Sequence, residues 1–179
     1  MAQTDIAEKT AKGLEFKDAG NQRFKDGEFG RAVREYHFAL LHLRGLDADP
    51  HSVAGPKDPK DKKEEDVTEH EKTLSSILSN MAVCHLRLGK HESTIRCAND
   101  ALKQNPFNHK AKFRLAQGLI RDGATVKAGK ILDELEKILP SDAAFAAERR
   151  NIEAMEKKAD AKQRKEFAGM FDRASNEAE

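Results

Sequence analysis

Five polar residues stand at spacings that would let them work together: Lys17 with Asn21, Asn80 alone, and Lys110 with Arg114. Residues four apart share one face of a helix, so each pair presents two donors side by side. Lysine supplies a point charge, arginine a planar fork of donors, and asparagine a neutral amide. That set suits two carboxylates held close together, such as the main-chain and side-chain carboxylates of a peptide ending in aspartate. It does not suit catalysis. The chain has no GxxxxGK[ST] loop, no GxGxxG after a strand, no HExxH and no GxSxG. Its seven histidines are scattered, with His37 and His42 five apart and His85 and His91 on either side of a turn. Two cysteines without a Cys-His cluster do not make a zinc site. We expect no enzyme activity, no metal and no cofactor.

For the five residues to meet, three helices must lie side by side. From Ser75 to Pro140 the chain runs through two copies of one 34-residue unit, the second starting at His109. At that offset Leu86 falls on Ile120, Gly89 on Gly123 and Pro106 on Pro140, while Ile95 meets Gly129 and Leu102 meets Glu136. What the copies share is a frame: small residue, apolar pair, turn glycine, second helix, closing proline. A third copy upstream carries that frame around Gly20, Gly27, Ala32, Tyr36 and Ala39. A helix pair repeated at this period is the tetratricopeptide pattern, in which each unit stacks on its neighbours to bury its apolar face. The first helices of the pairs line the concave surface where such arrays bind ligands.

The expected architecture is all-α, a superhelix of three helix pairs plus a long C-terminal capping helix, in one domain. Repeat one covers about 13–46, with a first helix from Thr4 or Asp5 to Asp26 and a second from about Arg31 carrying Val33, Tyr36, Ala39, Leu40 and Leu43. From Gly13 to its counterpart Ser75 is 62 residues, 28 more than the period. The excess holds Pro50, Pro56, Pro59 and the charge run KDPKDKKEED, which predicts a flexible insertion over about 49–65. Repeat two covers about 68–106 and opens on Thr68 and Glu71, a capping box whose side chains satisfy each other's orphan amides. Repeat three covers about 108–140, capped by Asn108 and closed by Pro140, and carries Leu135 where most repeats have alanine, which predicts a shift or separation of its helices. Ser141 then caps a helix over about 141–174, with Phe145, Ile152, Met155, Phe167, Met170 and Phe171 on one face.

The totals agree with a helical protein in water. The 179 residues include 32 basic and 31 acidic side chains, so there is no basic excess to bind nucleic acid or membrane generally. Cys84 and Cys97 fall on the paired helices of repeat two and read as buried thiols rather than a disulfide. No apolar run of membrane-spanning length occurs and the amino terminus has no signal-like apolar stretch, which predicts a cytoplasmic protein; we expect it to be a monomer.

The sequence resembles tetratricopeptide-repeat (TPR) co-chaperones that hold the carboxyl terminus of heat-shock chaperones through a two-carboxylate clamp. Lys17 and Asn21 in KDAGN, Asn80 in LSNMA, and Lys110 and Arg114 in KAKFR match that motif residue for residue. The chain is similar to the TPR tail of large immunophilins, which also ends in a sequence like RKEFAGMFDRA, and its YHFALLHLRGLD stretch is similar to the tetratricopeptide repeat protein 9 family. The resemblance implies an adaptor for the acidic EEVD-type tail of heat-shock protein 90, with heat-shock protein 70 as a second candidate. It implies that Lys17, Asn21 and Asn80 hold the terminal carboxylate, Lys110 the neighbouring side-chain carboxylate, and Arg114 the peptide backbone or an acidic side chain upstream. The alternative is a TPR scaffold for an unrelated partner, with the five residues incidental.

Overall fold

A computed structural model describes residues 2–44, 46, 62–140 and 142–176, with side chains from 5 to 167. Among the described residues seven α-helices follow one another: α1 (Ala2–Lys25), α2 (Phe29–Leu43), α3 (Glu69–Arg87), α4 (His91–Gln104), α5 (His109–Arg121), α6 (Thr125–Ile138) and α7 (Ala143–Asn176). Each helix packs on the next in the pairs α1–α2, α3–α4 and α5–α6, and these stack through α2–α3 and α4–α5 contacts. The array is closed by α7 against α5 and α6. The three turns inside the pairs hold Gly27, Gly89 and Gly123 at φ of 76°, 70° and 87°, a region that costs an L-residue energy and glycine none. Gly89 and Gly123 stand at the repeat offset, which is why one turn geometry recurs.

The first helices of repeats two and three, α3 and α5, start where short polar side chains satisfy free amides. Thr68 Oγ1 accepts from Glu71 N at 3.1 Å, while Thr68 N donates to Glu71 Oε2 at 3.0 Å. Asn108 Oδ1 accepts from Ala111 N at 3.0 Å, and its Nδ2 donates to Ser75 Oγ at 2.8 Å. Ser75, fully buried, donates in turn to the Ala101 carbonyl. One cap therefore ties the start of α5 to α3 and α4.

Close approach of α1 and α2 depends on missing side chains. A Cβ at Gly13 would lie 2.5 Å from Leu43 Cγ, and one at Gly20 would lie 2.6 Å from the Tyr36 ring. Leu43 and Tyr36 fill those spaces and are both 1% exposed, each burial contributing about 1.5–3 kcal/mol. One buried cluster runs from Ala32 through Tyr36, Leu43, Ile77 and Met81 to Ala111. A second joins α5 and α6 to α7 through Ile120, Leu132, Leu135, Phe145 and Ile152. Cys84 and Cys97 are free and buried, and burial pushes the Cys84 thiol up to about 12.

Several boundaries differ from expectation. α1 begins at Ala2 and ends at Lys25, and α2 begins at Phe29 rather than Arg31. Residues 49–61 of the expected insertion, and Ser141, lie outside the described residues. Residues 62–65 do not read as loose chain: Glu64–Asp66 form a 3₁₀ turn, Val67 is 5% exposed, and Lys62 pairs with Glu71. The described cap of α7 is Asp142, whose Oδ1 accepts from Ala144 N at 2.8 Å. Leu135 is fully buried in the cluster shared with Phe145 and Ile152, so the bulk expected to disturb repeat three has a place beside α7. The apolar face of α7 is used only in part. Phe145 and Ile152 are buried, Phe167 is 52% exposed, and the side chains of Met170 and Phe171 lie outside the described residues.

Candidate functional site

Contacts of α1 with α3, α3 with α5 and α5 with α7 put the first helices of the pairs side by side. Lys17 and Asn21 are carried by α1, Asn80 by α3, and Lys110 and Arg114 by α5. Asn21 and Asn80 meet directly: Asn80 Nδ2 donates to Asn21 Oδ1 at 3.1 Å. The same oxygen accepts from the Tyr36 hydroxyl at 2.8 Å. An amide oxygen has two lone pairs, so both are used, and the amide is held in one orientation. The Asn21 NH2 group has no acceptor among the described residues and remains available to a ligand.

Tyr36 is the positioning residue of this network. Its ring lies against Gly20, one residue before Asn21, which is why α1 needs glycine there. Burial pushes its hydroxyl up to about 12, with the Cys84 thiol adding and Asn80 opposing, so at neutral pH it stays a donor to Asn21. Lys17, half-buried one turn before Asn21, and Lys110, exposed one turn before Arg114, make no ion pair among the described residues.

Arg114 is half-buried and donates through Nη1 to Gln117 Oε1 at 2.7 Å, with its guanidinium carbon 5.6 Å from the Phe113 ring centre. Burial pushes its pKa down, Arg87 adds to that, and Glu148 opposes it. Glu148, on α7 and 6% exposed, accepts from Gln117 Nε2 at 2.8 Å and from Asn151 Nδ2 at 2.9 Å. Arg114 is thus aimed by a chain of contacts that reaches the capping helix. Phe24, Arg87, Arg114, Gln117, Arg121 and Glu148 border one cavity of about 400 Å³.

The five residues chosen from the sequence therefore fall on the three first helices, with the two asparagines in contact and Arg114 in the cavity. Five others, Tyr36, Arg87, Gln117, Arg121 and Glu148, are not among them. Along the sequence Tyr36 reads as part of the apolar stripe of α2. Gln117 lies three residues after Arg114, and Arg87 and Arg121 lie seven after Asn80 and Arg114, spacings that share a helix face and could have been found. Glu148 carried no such signal, because only the docking of α7 brings it there. Among the described residues no group of three or more His, Cys, Asp or Glu is placed to hold a metal ion, and no helix is long and apolar enough to cross a membrane.

No protein-family model matches the sequence. The chain is 26% identical over 171 residues to mouse peptidyl-prolyl cis-trans isomerase FKBP4, covering 96% of this chain and 34% of that protein. It thus spans about a third of that relative's length. The C-terminal TPR-containing domain of a Plasmodium falciparum FK506-binding protein superposes with a TM-score of 0.67 at 20% identity, over 89% of this chain and 95% of that one. The fold is that of a TPR domain. The first TPR of Spaghetti (RPAP3), solved bound to the HSP90 peptide SRMEEVD, superposes with a TM-score of 0.59 at 21% identity, over 81% of this TPR domain and 95% of that one.

Proposed function

We propose that this TPR domain is a non-catalytic, monomeric adaptor of the cytoplasm that captures the acidic carboxyl-terminal peptide of heat-shock protein 90, or secondarily of heat-shock protein 70. The observation that carries the reading is the Asn21 amide. Its oxygen is occupied by Tyr36 and Asn80, and its NH2 is left to a ligand on a surface whose lysines have no described acidic partner.

Lys17, Asn21 and Asn80 hold the terminal main-chain carboxylate. Lys110 holds the carboxylate of the last side chain. Arg114 reaches the peptide backbone or an acidic side chain upstream. Capture is non-covalent. Each hydrogen bond to a charged group contributes about 1.5–3 kcal/mol, so losing one weakens binding by about tenfold or more. Ordering a flexible tail consumes much of that attraction, which sets the expected affinity in the micromolar range.

Calorimetry with a peptide ending Met-Glu-Glu-Val-Asp and with its carboxyl-amidated twin tests the reading. Micromolar binding of the first and none of the second is expected. Equal binding of both would assign the groove to another kind of ligand. Lys110→Ala should reduce affinity for the free-acid peptide by about tenfold or more with the helical circular dichroism unchanged, since Lys110 is exposed and supports no described contact.

A further inference from the structure

The cavity beyond the clamp carries more positive charge than the clamp requires. Arg87, Arg114 and Arg121 all line it, and its one carboxylate, Glu148, already accepts two amide hydrogen bonds. Arg87 and Arg121 are exposed and have no acidic partner among the described residues. The same imbalance shows on Arg114, whose guanidinium feels Arg87 as a destabilising like charge. Guanidinium groups left this way form a ready set of donors for a planar anion, and arginine pairs with carboxylates in two-pronged fashion.

The position of the cavity along the groove follows from helix geometry. Arg87 lies two turns beyond Asn80 on α3, and Arg121 two turns beyond Arg114 on α5. Two turns of helix span about 10.5 Å, and an extended peptide advances about 3.3–3.6 Å per residue. A peptide whose terminal carboxylate sits at Asn21 and Asn80 would therefore cross the cavity roughly three residues before its end if fully extended, and up to about five if it runs obliquely from α3 to α5.

We propose that Arg87, Arg114 and Arg121 form a second anion subsite that selects an acidic side chain about three to five residues upstream of the terminal aspartate and disfavours a basic one. The proposal rests on the carboxylate-clamp reading of the same groove and adds the residues that choose between acidic tails. Glu148 keeps the subsite from being a bare cluster of like charge: it offsets part of the field on Arg114, while Gln117 and Asn151 hold it in place.

The test is calorimetry at low salt with two heptapeptides, Ser-Glu-Glu-Glu-Glu-Val-Asp and Ser-Arg-Arg-Arg-Glu-Val-Asp, against the intact chain and against Arg87→Glu/Arg121→Glu. The intact chain should bind the acidic peptide at least about tenfold more tightly, and the variant should reverse the preference. Equal affinity of the intact chain for both peptides would overturn the subsite and leave the clamp standing. No binding of either peptide would overturn both. If the variant lost its helical signal, the comparison of the two peptides on the intact chain would still decide the matter.

Discussion

Asn21 shows how its neighbours restrict what a single side chain can offer a ligand. A lone asparagine on a helix has donors and acceptors pointing wherever solvent allows. Here Tyr36 and Asn80 take the acceptor, so only donors remain for a ligand. Tyr36→Phe removes the hydroxyl and keeps the ring against Gly20. Because the bond is only partly buried, the cost to folding should be small, about 1 kcal/mol. Peptide affinity should fall several-fold, because the Asn21 amide would be free to rotate. Calorimetry beside thermal melts checks both parts, and an unchanged affinity would show that Asn80 alone fixes the amide.

At the scale of one element, the start of α3 carries a pH dependence. Burial alone would raise the Glu71 pKa, but hydrogen bonds from Lys62 and from the Thr68 amide, with the charge of Lys62, outweigh it and hold the carboxyl below its usual range. A group whose folded pKa is depressed binds fewer protons folded than unfolded across that interval. Its stabilisation is complete above the ordinary glutamate range and is lost as the pH falls through the lower folded value. Melting temperature should therefore drop on acidification more in the parent chain than in Glu71→Gln, which has no carboxyl to titrate. Parallel acid limbs would exclude Glu71 as a contributor. At the far end of the array Arg149 of α7 bonds Glu136 and Asp133 of α6, fixing the helix that carries Glu148.

The whole molecule tolerates a long interruption because a stacked array needs contact between neighbouring pairs, not a short connection between them. Loop-closure cost grows only slowly with length, by about 0.6 kcal/mol per doubling. The pairing of Lys62 with Glu71 marks where the insertion rejoins the array. Deleting residues 50–61 should leave the melting temperature within error of the parent. Extending the deletion through 64 should lower it, since Lys62 and the first residue of the 3₁₀ turn go with it. Equal melting temperatures for the two deletions would show that this junction contributes nothing.

The sequence alone was enough to place the helix pairs, their glycine turns and the Thr68 and Asn108 caps. These depend on periodicity and on interactions within a few residues, such as Thr68 with Glu71. It also placed five polar residues on the first helices of the three pairs, since residues four apart share a helix face whatever the helix packs against. Tertiary structure decided the rest. Asn21 and Asn80 are 59 residues apart in the chain and meet only because α1 and α3 pack. Tyr36 reads as a core residue along α2 and becomes part of the site only where α2 lies over Gly20. Glu148 enters the groove from α7, and Leu135, an apparent misfit within its own repeat, is accommodated by the same helix. Local patterns carry backbone geometry and helix faces. Which faces touch, and therefore which polar groups are satisfied and which are left for a ligand, depends on contacts between residues far apart in the chain.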